Sequence, residues 1–283
     1  MTDVNTITVI GAGTMGHGIA HAAVTAGYET RLYDVSEGPL AKARERIDGI
    51  LRKAVDLGKA TTAEADAAAA RLRTTPSLEE ALAGVPFVIE AAPERIDLKL
   101  KLMADIERFA PADAVIATNT SALSITEMAG SLASPARVAG MHFFNPVHKM
   151  KLIEIVRALE SSEAALAAVE AVSRRMGKET VLVRESPGFI TTRVNASIGN
   201  EAFYMLMEGV ASARDIDKAL KLGLNHPMGP FELVDLVGLD TRLSILEYLH
   251  RSLGEKYRPC PLLAQYVRAG RLGRKTGKGV YEY

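Results

Sequence analysis

Thr6-Ile7-Thr8-Val9-Ile10-Gly11-Ala12-Gly13-Thr14-Met15-Gly16 decides how this chain folds. Thr6–Ile10 is a short β-branched run stopping at glycines, which reads as a buried strand. Gly13–Ala26 is Ala-rich and stops at Gly27, a natural residue just past a helix end. G-x-G-x-x-G alone is a weak pattern, but between a strand and a helix start it reads as a dinucleotide loop. Gly11 permits the tight turn, Gly13 lets backbone approach a pyrophosphate, and Gly16 lets helix and strand pack closely. The helix start, with Thr14 and Met15, offers N–H groups and the positive end of the helix dipole to the phosphates. Tyr28–Tyr33 reads as the second strand and ends at Asp34, eighteen residues after Gly16. An acidic side chain there accepts hydrogen bonds from a ribose diol and repels a 2′-phosphate, so NAD(H) is expected over NADP(H).

The alternation continues outward from this unit. Leu40–Leu57 and Thr62–Leu72 read as a helical hairpin inserted after the second strand. Pro86–Ala91, Ala114–Thr118, Val138–His142, Leu152–Val156 and Thr180–Val183 read as strands; Glu94–Phe109, Ile125–Ala129 and Ser161–Met176 read as helices. Such alternation specifies a mainly parallel sheet with helices on both faces, an α/β domain of Rossmann type. The character changes at Ser186-Pro187-Gly188. Thr191–Glu208, Ala213–Leu222, Phe231–Leu253 and Pro261–Ala269 are all helical in pattern, with Ser212 and Asp215 forming a capping pair. The expected division is residues 1–185, an NAD-binding domain, and 186–283, an all-α domain.

Composition narrows the function classes. The chain has 283 residues, 48% of them hydrophobic, with 34 Lys+Arg balancing 34 Asp+Glu. That composition is globular, and zero net charge gives no basic excess for nucleic acid. No apolar run approaches the roughly 18–20 residues that span a bilayer. The N-terminal stretch lacks a basic, apolar leader pattern, and the one cysteine, Cys260, has no internal partner. A cytoplasmic protein is therefore expected, and the sequons at Asn119 and Asn195 are read as coincidental. Cys260, between two prolines, has no paired base in sequence and is not read as a nucleophile. His17 and His21 have i, i+4 spacing but no accompanying carboxylate motif, so no metal is expected. His226 reads as a turn residue, and His148 and His250 read as exposed.

His142, in Gly140-Met141-His142-Phe143-Phe144-Asn145-Pro146-Val147, ends an apolar strand where a doubly wound sheet presents residues to ligands. Glu154 lies in the apolar run Lys151–Val156 and needs a partner there. Adjacent strands can set it against the His142 ring, fixing the tautomer and raising the basicity of the other nitrogen, as a general base requires. The alternative is a core histidine and an edge-exposed glutamate. Ser121, beyond the strand Ala114–Thr118, either hydrogen-bonds a substrate oxygen or caps the next short helix.

Taken together, GAGTMG, Val88–Ala91 with Glu94, Ala117-Thr118-Asn119-Thr120-Ser121, HFFNPV, Pro187-Gly188-Phe189-Ile190, the HPMGPFEL stretch ending at Leu233 and the run Gly273–Tyr281 resemble the L-3-hydroxyacyl-CoA dehydrogenases, of the short 3-hydroxybutyryl-CoA type. The resemblance covers nearly the whole chain. It implies NAD-dependent oxidation of an acyl-CoA substrate, with His142 as base, Glu154 as its partner, and Ser121 at substrate and nicotinamide ribose. It also implies cofactor contacts at Glu94, Lys99 and Asn145, and a homodimer through the C-terminal domain. Leu233, Val234, Leu236, Val237, Leu243 and Leu246 supply apolar stripes for that interface. One departure stands out: where the family commonly has GFIVNR, this chain has Gly188-Phe189-Ile190-Thr191-Thr192-Arg193, so Thr192 replaces an asparagine near the substrate. Asn195 lies at i+3 and can reach the same space. Arg52 and Lys53 are candidates for the CoA phosphates or a solvated basic face. A dehydrogenase of a small non-CoA hydroxy acid or aromatic alcohol, and a non-catalytic crystallin-like protein, are the competing readings.

Overall fold

The computed structural model describes residues 4–283, and the chain divides after Glu185. The first unit runs β1 (Thr6–Ile10), α1 (Thr14–Thr25), β2 (Glu29–Tyr33), α2 (Glu37–Asp56), α3 (Thr62–Ala70), β3 (Leu72–Thr75), α4 (Leu78–Leu82), β4 (Phe87–Glu90), α5 (Ile96–Phe109), β5 (Val115–Thr118), α6 (Ile125–Gly130), β6 (Val138–Phe143), β7 (Leu152–Arg157), α7 (Glu163–Arg175) and β8 (Glu179–Arg184). The eight strands form one sheet, ordered β3-β2-β1-β4-β5-β6-β7-β8. All neighbours are parallel except β6 and β7.

The order reverses between β1 and β4. Crossovers through α1, α2 and α3 move one way from that point, and those through α5 and α6 move the other. Right-handed crossovers therefore put the two sets on opposite faces, and a crevice opens at the carboxyl ends of β1 and β4. One apolar cluster joins α1, α2, α3 and α7 to alternate strand residues, including Val9, Phe87, Met141, Phe143, Ile153 and Ile155. Strand alternation then turns Glu90, Thr118, His142 and Glu154 toward the other face.

The sequence reading missed two elements here. Leu72–Thr75 is a strand, not the end of a helix, and pairs with β2 from Thr30↔Leu72 to Tyr33↔Thr75. The α2–α3 pair is therefore the crossover between β2 and β3 rather than an insertion. Only Leu72 and Thr75 of this strand are buried, too few to mark a period. The five-residue α4, capped by Ser77, is too short to show helical periodicity.

The second unit holds α8 (Thr191–Met207), α9 (Ala213–Gly223), α10 (Pro230–Val237), α11 (Leu239–Leu253) and α12 (Pro261–Arg268). Phe231–Leu253 is thus two helices rather than one. Gly238 breaks it at φ 109°, where a Cβ would also lie 2.9 Å from Asp240 Oδ1. The core gathers Ala196, Phe203, Phe231, Val234, Leu246, Leu249, Tyr257 and Leu263. Ser212 caps α9, its Oγ accepting from Asp215 N–H at 3.2 Å. Asp217 and Asp235 are buried where they tie down the C-terminal segment. Asp217 accepts from the Phe231 amide at 2.8 Å and Tyr281 hydroxyl at 2.7 Å; Asp235 accepts from the Val280 and Tyr281 amides at 2.8 and 2.9 Å.

Candidate active site

The loop after β1 has the shape its glycines require. Gly11 sits at φ 99°, and a Cβ there would lie 2.7 Å from the Ala91 carbonyl oxygen. A Cβ on Gly16 would lie 1.6 Å from the Gly11 carbonyl oxygen, so α1 starts directly against the turn. Gly13 precedes α1 with no side-chain cap, and nothing stands within 4 Å of its Cβ position. The first-turn amides of α1 thus meet open space, a cradle suited to a pyrophosphate. Asp34 Oδ2 accepts from Ala12 N–H at 2.8 Å, which draws the carboxylate to the loop. Arg31 points elsewhere: its guanidinium donates to the Glu80 and Ala83 carbonyls at 2.9 and 2.8 Å. No cation offered by Arg31 therefore offsets Asp34, and the loop fits NAD.

A second network joins the ends of β4 and β5. Glu90, fully buried, accepts from Lys99 Nζ, Thr118 Oγ1 and Ala92 N–H, each at 2.6 Å. Lys99 also reaches the Ala92 carbonyl at 3.2 Å and Glu94 at 3.7 Å. At 1% exposure Lys99 is an internal brace between Glu90 and Glu94. Glu94 accepts from Thr120 Oγ1 at 2.7 Å and from the amides of Ser121 and Ala122 at 2.8 and 3.2 Å. Asn119 Oδ1 accepts from Phe143 N–H at 2.9 Å, fastening the end of β5 to the end of β6. The sequence reading missed Glu90, Thr118, Asn119 and Thr120. The signal was present for Glu90: like Glu154, it is a charge inside an apolar strand.

His142 and Glu154 face each other as a register pair of the antiparallel strands β6 and β7. His142 Nδ1 lies 2.7 Å from Glu154 Oε2, with the two side chains 5% and 0% exposed. An ionised carboxylate only accepts, so it selects the Nδ1–H tautomer and puts the lone pair on Nε2. The Phe144 ring lies 4.6 Å from the imidazole, centroid to centroid. The edge-exposed glutamate considered for position 154 is therefore excluded. Ser121 is half-buried beside Glu94, and the capping role considered for it belongs to Ser124, whose Oγ accepts from Glu127 N–H at 3.1 Å. Asn145 is exposed in the segment after β6. Thr192 lies in the first turn of α8, half-buried, with Asn195 one turn on.

Arg52 and Lys53 line different grooves. Consecutive helix residues diverge, and Lys53 lines a groove of about 680 Å³ with His21, Lys59, His148 and Lys149, whereas Arg52 lines another with Asp48, Asp56 and Asp66. In the Lys53 groove, burial pushes His21 down to about 4, helped by His148, Lys178 and His17. His250 is only half-exposed, its Nε2 3.0 Å from Glu255. Burial raises the Cys260 thiol, which makes it a poor nucleophile. Among the described residues, no helix is long and apolar enough to cross a membrane.

Comparison with known proteins agrees with this geometry. Residues 6–186 match the 3-hydroxyacyl-CoA dehydrogenase NAD binding domain, and residues 188–283 match the 3-hydroxyacyl-CoA dehydrogenase C-terminal domain. The chain is 45% identical over 282 residues to a probable 3-hydroxybutyryl-CoA dehydrogenase of Bacillus subtilis, covering 99% of this chain and 98% of that one. It is 42% identical over 276 residues to the 3-hydroxybutyryl-CoA dehydrogenase of Bradyrhizobium diazoefficiens, covering 97% and 94%. The crystal structure of (S)-3-hydroxybutyryl-CoA dehydrogenase from Ralstonia eutropha superposes with a TM-score of 0.95 at 42% identity, covering 99% of each chain. With a glycine loop shaped for a dinucleotide and both domains matched end to end, the chain belongs to the 3-hydroxyacyl-CoA dehydrogenase family and is an NAD-dependent oxidoreductase.

Proposed function

We propose that this chain oxidises short-chain L-3-hydroxyacyl-CoA, such as 3-hydroxybutyryl-CoA, to the 3-ketoacyl-CoA, with His142 as the general base. The observation that carries this reading is the buried 2.7 Å contact between His142 Nδ1 and Glu154. It stands at the same carboxyl edge of the parallel strands as the Gly11–Gly16 loop. Glu154 holds Nδ1–H, so Nε2 accepts the substrate hydroxyl proton, and the carboxylate stabilises the imidazolium that forms. A base so held contributes about 10²–10⁴-fold. Bound NAD supplies the hydride acceptor for C3. Gly11, Gly13, Thr14, Met15 and Gly16 hold its pyrophosphate and Asp34 its adenosine ribose, with Glu94, Ser121 and Asn145 along the nicotinamide half. Lys99 positions Glu90 and Glu94. Ser121 offers a hydroxyl group to the substrate oxygen, and Lys53, rather than Arg52, faces the CoA phosphates.

Residues 186–283 are read as the substrate and dimerisation domain of a cytoplasmic homodimer. Leu236 and Val237 support this as exposed apolar residues on α10, whereas Val234 and Leu246 are buried in the core of their own unit and are withdrawn from the interface. Light scattering then gives twice 30.4 kDa; a mass of 30.4 kDa overturns the dimer. The activity is tested with NADH and acetoacetyl-CoA, longer 3-ketoacyl-CoAs, and free acetoacetate. Thioesters are expected to oxidise NADH and the free acid to be a poor substrate. Equal turnover of acid and thioester would overturn the CoA reading.

A further inference from the structure

A basic groove of about 680 Å³ in the first unit holds two histidines that the reaction leaves unused, His21 and His148. His21, on α1, is 8% exposed, and its Nδ1 is buried with no hydrogen-bond partner. The ring lines the groove, so Nε2 is the nitrogen left to meet a ligand there. A Cβ on Gly18 would lie 2.9 Å from Val147 Cγ2, and this close approach seats His21, three residues on, beside His148. The two rings stand 6.2 Å apart, centroid to centroid, at 73°. Lys178 fixes the segment that carries His148, donating to the Val147 and Met150 carbonyls at 2.5 and 2.8 Å. His17, one turn before His21, has its Nδ1 2.8 Å from the Gly13 carbonyl oxygen. Around the histidines the groove presents Lys53, Lys59, Arg71 and Lys149, none of them in an ion pair among the described residues. The one carboxylate among its described lining residues, Glu64, accepts from the Thr61 amide and hydroxyl at 2.8 and 2.9 Å. Burial lowers His21 to about 4; partial burial, then Lys149, Lys178, His17 and Lys53, lower His148. Both rings are therefore neutral beside unpaired cations near pH 7, the condition of a site that awaits an anion.

We propose that His21 and His148 complete a phosphate subsite in this groove and couple its occupation to uptake of a proton from solvent, His21 serving as a neutral N–H donor and His148 as a cation formed when the phosphate arrives. This deepens, and rests on, the reading of the Lys53 groove as the place of the CoA phosphates. A phosphate monoester brings a charge of about −1.5 to −2 and three acceptor oxygens. That charge offsets Lys53 and Lys149, whose field holds the His148 imidazole neutral, and an anion beside the ring favours imidazolium. The sign follows from linkage. The occupied groove binds a proton at a pH where the empty one does not, so affinity for the phosphate rises as pH falls toward about 6.5. Lysine and arginine stay charged throughout that range and supply no such slope. His21, unpaired at Nδ1 and buried, gains its hydrogen bond at every pH and supplies none either.

The test measures kcat/KM for acetoacetyl-CoA and for acetoacetyl-pantetheine, the same thioester without its phosphates, using the full-length chain and NADH between about pH 8.5 and 6.5. Titration of the catalytic groups and binding of NADH act on both substrates alike and cancel in the ratio, as does any loss of folded enzyme. In the wild type the ratio of CoA to pantetheine thioester is expected to rise at least about fivefold as pH falls across that range, within the limit of about tenfold per pH unit that one proton sets. His148→Asn should abolish the rise. His21→Leu should lower the ratio at least about threefold at every pH and keep the rise. A ratio above one that does not change with pH overturns the proposal. So does a rise that persists in His148→Asn, or a ratio unmoved by His21→Leu. A ratio of one at every pH marks failure of the CoA-phosphate reading itself and removes this proposal with it.

Discussion

Replacing Glu154 by Gln separates chemistry from folding at the centre of the site. The side chain keeps its size and can still accept from His142 Nδ1–H, so the fold should be retained. What is lost is a full negative charge at 2.7 Å from the imidazole, in a place with no solvent exposure. A hydrogen bond to a charged group contributes about 1.5–3 kcal/mol, and here it matters most once the imidazole has taken the substrate proton. At about 1.36 kcal/mol per tenfold, kcat should fall by about 10- to 150-fold. Because the interaction strengthens in the transition state, kcat and kcat/KM should fall together while substrate KM changes little. The amide can also turn its NH2 toward Nδ1 and select the wrong tautomer, which deepens the loss. Steady-state NADH oxidation with acetoacetyl-CoA measures the rate, and fluorescence titration measures NADH affinity, which should stay unchanged. Removing a buried charge while keeping the hydrogen bond should leave the urea midpoint unchanged or raise it. A variant with kcat within about twofold of wild type, its folding verified, would refute the assignment of Glu154 as partner to the base.

Other perturbations test the surrounding structure. Asp34→Ala should weaken NADH binding by about 10- to 150-fold, from about 1.5–3 kcal/mol of lost charged acceptor, and narrow the preference over NADPH; equal affinity for both cofactors before and after would remove Asp34 from the ribose. Lys99→Met leaves Glu90 buried without its cation and should cost about 3–5 kcal/mol in urea unfolding, with Glu90→Gln added in the same chain recovering part of it. His21, neutral in the fold down to about pH 4, takes a proton near pH 6.5 once unfolded. The unfolded state therefore binds more protons between those values, and stability should drop by about 3 kcal/mol as pH falls from about 6.5 to 4. His21→Asn should flatten that part of the stability profile, and an unchanged slope would show that other groups set it.

Much of the first unit was legible from local signals. A β-branched run, three spaced glycines and an acid at the end of the next strand each have one stereochemical use, so the dinucleotide loop can be read without any long-range contact. The same holds for Ser212, whose capping bond spans three residues. The strand Leu72–Thr75 and the break at Gly238 were not legible, because one is stabilised by a neighbour distant in sequence and the other by the close approach of Asp240 and Lys275. For the site, the sequence by itself determined which residue types were available: a histidine ending an apolar strand, a glutamate inside another, a lysine with two acids upstream. Only the tertiary structure decided their pairing. Register across β6 and β7 set Glu154 on His142, burial made Lys99 a brace between Glu90 and Glu94, and helix phase sent Arg52 and Lys53 to different grooves. The physical reason is one of range: turns and caps close within a few residues of chain, whereas the partner of a buried charge is chosen by strand register and packing across the fold.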